Sequence, residues 1–411
     1  MDIVINHLVR TASNMRVRVI LEAVFQRSPD GVISTGMPFD HAFFTRYLAV
    51  FSAVKVIARV EDVTMMPAGW RPVEGAHVRV RPLPFYHGLW GYLRQRSMVI
   101  AALKASISGE GAIILRVPSP LAGCIDRQLA AQRIPYGVEV VGDPWEVFAP
   151  GVIKHPLRPL LRHHFRAQLQ RQCQHASAGC YVTNETLQKR YPLRHAALSY
   201  GVSDVELGDQ AFVTTAHQSP ALGQPLKLIM VGSLAQLYKA PDVLIAAVAD
   251  GRKRGMDIRL EILGDGMYRA ELMTLAHTLG ISDVVHFAGH LASGAAVQAR
   301  LDAADLFILP SRTEGLPRAI IEAMARGLPC LGSSVGGIPE LLQPDALVRP
   351  GDALALADLL YTRGNDRAWL TQAAVRNLEF SRRYAEPLLR AQRQAFYQTV
   401  RDTTATWMEN R

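Results

Sequence analysis

Residues 308–329, Ile-Leu-Pro-Ser-Arg-Thr-Glu-Gly-Leu-Pro-Arg-Ala-Ile-Ile-Glu-Ala-Met-Ala-Arg-Gly-Leu-Pro, constrain the fold of this chain more than any other stretch. A short apolar run, Leu306 to Leu309, has the length and flanks of a buried strand end, and Pro310 stops it. A polar loop carrying Glu314 and Gly315 follows. Pro317 stands where a helix takes its first residue, because a proline there gives up an amide that had no partner. The helix runs through Ala319, Ile320, Ile321, Ala323, Met324 and Ala325, and Gly327 caps its C-terminus. Strand, loop and helix N-terminus in this order aim unpaired backbone N–H groups at an incoming anion. Glu314 lies in the mouth of that site, and Glu322 rides about one and a half turns into the helix.

The same alternation repeats along the chain. Strands are expected at 17–23, 54–60, 78–81, 112–117 and 138–142, with helices through 43–51, 89–106 and 155–175, and a loop over 25–38. Segments 181–184 and 198–201 close this first set. Residues 209–224 are largely polar, carry Pro220 and Gly223, and read as the linker. A second set then runs 226–231, 241–254, 259–263, 268–279, 284–287, 295–304 and 306–309, with a further strand over 329–332 and helices beyond it. At 411 residues the chain exceeds one ordinary core. The expected division is an N-terminal domain over 1–215, a C-terminal domain over 216–390 and a C-terminal helix over 391–411. Strand–helix alternation at this spacing implies parallel βαβ units, so both halves read as Rossmann-like, with a ligand cleft at the strand C-termini.

Charge separates the halves. Residues 1–200 hold 24 Lys and Arg against 13 Asp and Glu, and the remainder 21 against 23, so the net +9 arises entirely in the first half. Residues 155–175 are the basic extreme. Leu157, Leu160, Leu161, Phe165, Leu169 and Cys173 recur there at helical spacing among Arg158, Arg162, Arg166 and Arg171. Such a helix either lies on an anionic membrane surface or packs on a core with a solvated basic face. No aromatic interleaving or nucleic-acid motif accompanies the charge, which argues against nucleic acid. No run of about 18 apolar residues exists to span a bilayer, and the first residues lack the apolar core of a signal peptide. The four cysteines are scattered, with no Cys-x-x-Cys pair, the pattern of a reduced cytoplasm.

Pro-Ser-x-x-Glu-Gly, seven residues between the two glutamates, then Glu-Ala-Met-Ala-x-Gly-x-Pro, resembles the donor-binding signature of family 4 retaining glycosyltransferases. The resemblance implies a GT-B fold, α/β, with two Rossmann-like domains whose parallel sheets face each other across a cleft. It further implies metal-independent transfer of a sugar from a nucleotide-diphosphate sugar to a hydroxyl, with the anomeric configuration retained. No cofactor is implied beyond that co-substrate. By resemblance, Glu314 touches the donor sugar, Glu322 holds the ribose, and amides of Gly315, Leu316 and Arg318 take the β-phosphate. Gly232, Ser233 and Lys239 neutralise the diphosphate, with Ser233 standing where relatives often have arginine. Gly264-Asp265-Gly266 forms a turn near the nucleotide, and the backbone around His286 holds the base. His286 and His290 lack the partners of a metal motif. No Asp-x-Asp occurs in the chain, so fixed cations and helix dipoles are expected to stabilise the leaving diphosphate.

The first half matches more thinly. Gly142 occupies the position of the relatives' catalytic-loop histidine, and Asp143 either orients acceptor or sugar or simply forms an Asp-Pro turn. Gly31 is the nearest counterpart of the relatives' glycine loop, and Arg116, at a strand end, is expected to face the cleft. The resemblance points to surface polysaccharide or glycolipid synthesis, in the cytoplasm or peripherally on the inner face of the plasma membrane, with a free or lipid-linked hydroxyl acceptor. Rivals are a nucleotide-sugar 2-epimerase of the same fold, a glycoside hydrolase and a non-catalytic sugar-nucleotide binder. The spacing of Glu314 and Glu322 along one loop and helix opposes the hydrolase, which needs two carboxylates across a sugar.

Overall fold

The computed structural model of the protein describes residues 14–149, 152, 155–205, 207–219, 223–291 and 294–411. The lead-in read over 1–16 lies outside these residues up to position 13, as does Pro220 of the expected linker. The chain divides into two compact units. One takes the chain up to Gly142, then His164–Val202 and Arg390–Arg411; the other takes Asp143–His163 and Ser203–Leu389.

The first unit is built on β1 (Arg16–Arg27), β2 (Ile33–Thr35), β3 (Ala53–Asp62), β4 (Arg71–Pro72), β5 (Val78–Leu83), β6 (Ala112–Val117), β7 (Gly137–Val140), β8 (Ala178–Tyr181) and β9 (Ser199–Gly201). Strands β1, β6, β7, β8 and β9 pair in that order, all parallel, and β3 and then β5 extend the sheet from the other side of β1. The expected loop over 25–38 is instead a hairpin. Strand β1 continues to Arg27 and turns back antiparallel into β2, with Gln26 opposite Ser34. Val17, Val19, Ile20, Phe25 and all of β6 are buried, the continuous apolar pattern of a sheet covered on both faces. Two helices matter below: α1 (Gly88–Ile107) and α2 (Arg158–His175).

The second unit holds β10 (Leu226–Val231), β11 (Ile258–Leu263), β12 (Val285–Gly289), β13 (Leu306–Leu309), β14 (Cys330–Ser333) and β15 (Leu347–Val348). Between them run α3 (Pro241–Lys253), α4 (Arg269–Thr278), α5 (Ala295–Asp302) and α6 (Arg318–Ala325), followed by α7 (Ala353–Gly364) and α8 (Arg367–Ser381). The strand order is β12-β11-β10-β13-β14-β15 and every pairing is parallel. The order reverses between β10 and β13, which makes the C-terminal ends of those two strands the topological switch point. Ligands of open parallel sheets bind at such a switch point.

Two expected boundaries move. The polar stretch after Gly208 is not a free linker: Val213 donates its amide to Ala325 and His217 donates its amide to Gly327. The C-terminal helix, α9 (Glu386–Glu409), is mostly a layer of the first unit rather than a separate element. Phe396, Tyr397 and Val400 are fully buried, and a Cβ on Gly137 of β7 would stand 2.5 Å from Val400. That glycine lets the helix approach the sheet.

Candidate functional site

The loops leaving β10 and β13 meet at the switch point. Lys239 Nζ lies 2.6 Å from Glu314 Oε1, and Ser311 Oγ donates to the same oxygen at 2.8 Å. Both side chains are largely enclosed, 12% and 8% exposed. The path of the backbone explains the meeting. Ala240 adopts the left-handed conformation, φ 55°, which is uncommon without glycine and marks a turn that the surroundings enforce. This turn precedes Pro241 at the start of α3 and folds Lys239 back over Gly232. A Cβ on Gly232 would meet Lys239 Cγ at 3.1 Å, so the glycine makes room for the lysine stem.

Arg312, at a position the signature leaves open, and residues outside it lock the two loops together. Arg312 donates its amide to Tyr238, one guanidinium nitrogen to Leu237, and a forked pair at 2.8 and 2.6 Å to Asp242. Fork-on-carboxylate geometry combines charge with fixed orientation. On the other side Gly337 donates its amide to Gly315 at 2.6 Å, and a Cβ on Gly336 would stand 2.1 Å from the Glu314 carbonyl oxygen. The loop after β14 therefore clamps the peptide that carries Glu314. Arg312–Asp242 spans 70 positions and Gly336 stands 22 beyond Glu314, so no local pattern announces either.

Helix α6 starts one place later than the sequence suggests. Pro317 is its N-cap, and Arg318 its first residue. Its C-terminus closes as read: Gly327 has φ 70°, donates to Met324 at 2.9 Å, and Leu328 donates to Ala323 at 3.1 Å. The first-turn amides have no earlier carbonyl within the helix. Glu322 lies on this helix close enough to Arg318 and Lys239 to feel both charges. Burial pushes its carboxyl above the ordinary range, and those two cations partly offset the rise. Lys239, Glu314, Gly315, Leu316, Arg318 and Glu322 thus share one neighbourhood. Lys239 commits one of its three N–H donors to Glu314 and keeps two for a further anion.

Other expected residues have local tasks. Ser233 is exposed and accepts the Ala235 amide at 3.2 Å. Gly264 and Gly266 serve close loop packing: a Cβ would stand 1.8 Å from the Gly232 carbonyl oxygen at the first and 2.1 Å from Leu234 backbone at the second. His286 is an exposed residue, the second of β12, opposite Glu261. The residue of that segment that reaches the strand end is Gly289.

In the first unit Arg116 is not an open cationic end but is 7% exposed. Its Nη1 lies 2.8 Å from Glu139 Oε2, one strand over in register. Asp143 caps a short helix by accepting the Trp145 amide at 2.9 Å, the turn-forming role. Gly31 sits at φ 87° in the β1–β2 hairpin turn, where it donates to Ser28. On α2, Arg162 stacks on Trp145 at 3.7 Å, and Arg158 donates to Phe148. Much of its expected basic surface is therefore spent on neighbouring backbone and ring.

Residues 225–363 match the family described as Glycosyl transferases group 1. The matched span holds Lys239, the Glu314 loop and α6. The chain is a glycosyltransferase. It is 28% identical over 338 residues to Protein CapJ of Staphylococcus aureus, covering 82% of this chain and 83% of CapJ. It is 37% identical over 149 residues to the amylovoran biosynthesis glycosyltransferase AmsK of Erwinia amylovora, 34% of this chain and 36% of AmsK. The crystal structure of Anabaena HepE in complex with UDP and glucose aligns with a TM-score of 0.63 at 16% identity, covering 93% of this chain and 98% of HepE. The glycosyltransferase therefore has the GT-B class of fold, with two Rossmann-like units.

Proposed function

We propose that this glycosyltransferase moves the sugar of a nucleoside-diphosphate sugar onto a hydroxyl acceptor, with retention and without a metal ion, during surface polysaccharide or glycolipid synthesis. The observation that carries this reading is the Lys239–Glu314 pair at the switch point, beside the N-terminus of α6. As the glycosidic bond breaks, negative charge grows on the departing diphosphate. An ammonium with donors to spare and the first-turn amides of α6 stabilise that charge where it develops. Glu314, held by Lys239 and Ser311, presents its remaining oxygen to the sugar hydroxyls, and Glu322 accepts hydrogen bonds from the ribose. HepE, which shares the fold, binds UDP and glucose, and AmsK, similar over 34% of this chain, is an amylovoran biosynthesis glycosyltransferase. Retention rests on the signature of residues 308–329.

A peripheral contact with anionic membrane belongs to the same reading, and α1 supports it better than α2. Helix α1 holds no Asp or Glu, and Trp90 on it is 84% exposed beside Leu93, Arg94 and Met98. An exposed indole among arginines suits a lipid headgroup layer.

The decisive experiment incubates the full chain with UDP-, GDP- and ADP-sugars and a panel of hydroxyl acceptors, with and without EDTA. Product anomeric configuration is read by proton NMR. Transfer with retained configuration, unaffected by EDTA, is expected. Inverted product would remove the retaining assignment, and loss of activity in EDTA the metal-independent one. Epimerised sugar without acceptor would favour the epimerase.

A further inference from the structure

Three glycines line the C-terminal ends of the strands on one side of the switch point. Gly232 follows β10, Gly264 follows β11 and Gly289 ends β12. Backbone bonds stitch them laterally: Gly232 donates to Leu263 and Gly264 donates to Gly289, each at 2.9 Å. Neighbouring strands lie about 4.8 Å apart, so this row spans about 10 Å. A cation marks each end. The atom nearest a Cβ on Gly232 is Lys239 Cγ, at 3.1 Å; the one nearest a Cβ on Gly289 is Arg269 Nη1, at 4.0 Å.

Arg269 opens α4, directly after the loop that Gly264 and Gly266 pin to β10. Its Nη2 donates to the Phe287 carbonyl at 3.2 Å, which orients the guanidinium toward the end of β12. Its Nη1 is 3.7 Å from Asp265 Oδ2, beyond hydrogen-bonding distance, and its Nε–H is buried with no acceptor in reach. The backbone bond therefore explains the orientation of the fork but leaves most of its five N–H donors unused.

We propose that Arg269 reads the nucleobase of the donor and selects one that presents a carbonyl oxygen, O4 of uracil or O6 of guanine, at the position where cytosine and adenine present an amino group. This rests on the nucleoside-diphosphate reading above. With the diphosphate at Lys239, the nucleoside lies along the row of strand ends that leads from Lys239 at Gly232 to Arg269 at Gly289. A guanidinium offers donors only. It pairs with a base carbonyl, as with O6 and N7 of guanine, whereas the amino groups of adenine and cytosine meet it donor to donor.

The test is isothermal titration of the full chain with UDP, GDP, ADP and CDP, repeated on Arg269→Met and Arg269→Lys. In the wild type, UDP or GDP should bind about tenfold or more tightly than ADP and CDP. Arg269→Met, which keeps the stem and removes the donors, should narrow the spread to about threefold while ADP affinity holds. Arg269→Lys keeps the charge without the fork and should lose part of the preference; it carries the test if the methionine variant does not fold. A wild type that binds all four alike, or variants that keep the wild-type ranking, would overturn the role of Arg269 alone. No binding of any nucleotide by the wild type would bring down the nucleoside-diphosphate reading and this inference together.

Discussion

Glu139 and Glu314 each pair with a basic side chain at the C-terminal part of a parallel sheet, one in each unit, yet they do different work. Glu139 is 3% exposed and saturated. Tyr47 donates to its carboxylate at 2.9 Å, Tyr397 at 3.1 Å and Arg116 at 2.8 Å, and Arg46 stands 3.8 Å away. These partners come from the neighbouring strand β6, from the segment before β3 and from α9, so one carboxylate ties two distant pieces of chain to the sheet. Burial, and after it the charge of Glu139, pushes both phenols well above their ordinary range, so they remain donors. Glu314 has two partners, and its lysine keeps free donors. A carboxylate with every acceptor position filled can only hold structure. One with positions left over, at a switch point and beside a helix N-terminus, can hold a ligand.

The largest expected effect is on the saturated side. Glu139→Ala leaves a buried guanidinium and two buried hydroxyls without their acceptor and should cost about 3–5 kcal/mol of unfolding free energy, read by urea titration. A loss below about 1 kcal/mol would mean the cluster is far less enclosed than its geometry says.

Glu314→Ala should do the reverse, lowering turnover about 10²-fold or more while UDP or GDP affinity stays near wild type. Unchanged turnover would erase the functional half of the contrast. Lys239→Ala should weaken nucleoside-diphosphate binding about tenfold to a hundredfold, since it removes charge-assisted hydrogen bonds to phosphate. It should also lower turnover, and equal affinity for UDP and uridine in the wild type would show that no diphosphate lies there.

The smallest effect concerns Glu322. Its folded-state carboxyl sits above the ordinary value of 4.5 because burial disfavours the charge. A raised carboxyl contributes stability that is fully present below its unfolded value and is lost as pH rises through the folded value. Ligand-free Glu322→Gln should therefore melt slightly higher than wild type at pH 8, with the gap closing as pH falls toward 4.5. A gap independent of pH would place the Glu322 carboxylate in water.

The comparison also shows where sequence reading reached its limit. The Glu314 loop and α6 are legible because their signals lie within a few residues of one another: an apolar strand end, Pro310, the glutamate, the helical spacing of Ile320, Ile321 and Met324, and Gly327. Arg116 at a strand end looks equally available in one dimension. Only the arrival of Glu139 from the next strand, and of the rings of Tyr47 and Tyr397 above it, makes it a structural residue. Arg269 is the converse case. Nothing near it in sequence sets it apart from other helix-opening arginines, and its position beside Gly289 exists only in the folded unit.

By itself, the sequence determined the strand–helix alternation, the two parallel sheets and the helix that carries Glu322, because run length, apolar period and capping residues act over one or two turns of chain. Tertiary structure decided which glutamate is sealed and which stays available, that α9 belongs with the first sheet, and that Gly264 packs against the Gly232 carbonyl. Those outcomes depend on groups from 23 positions apart (Arg116 and Glu139) to 258 apart (Glu139 and Tyr397) coming within bonding distance, and that separation leaves no local trace in the order of residues.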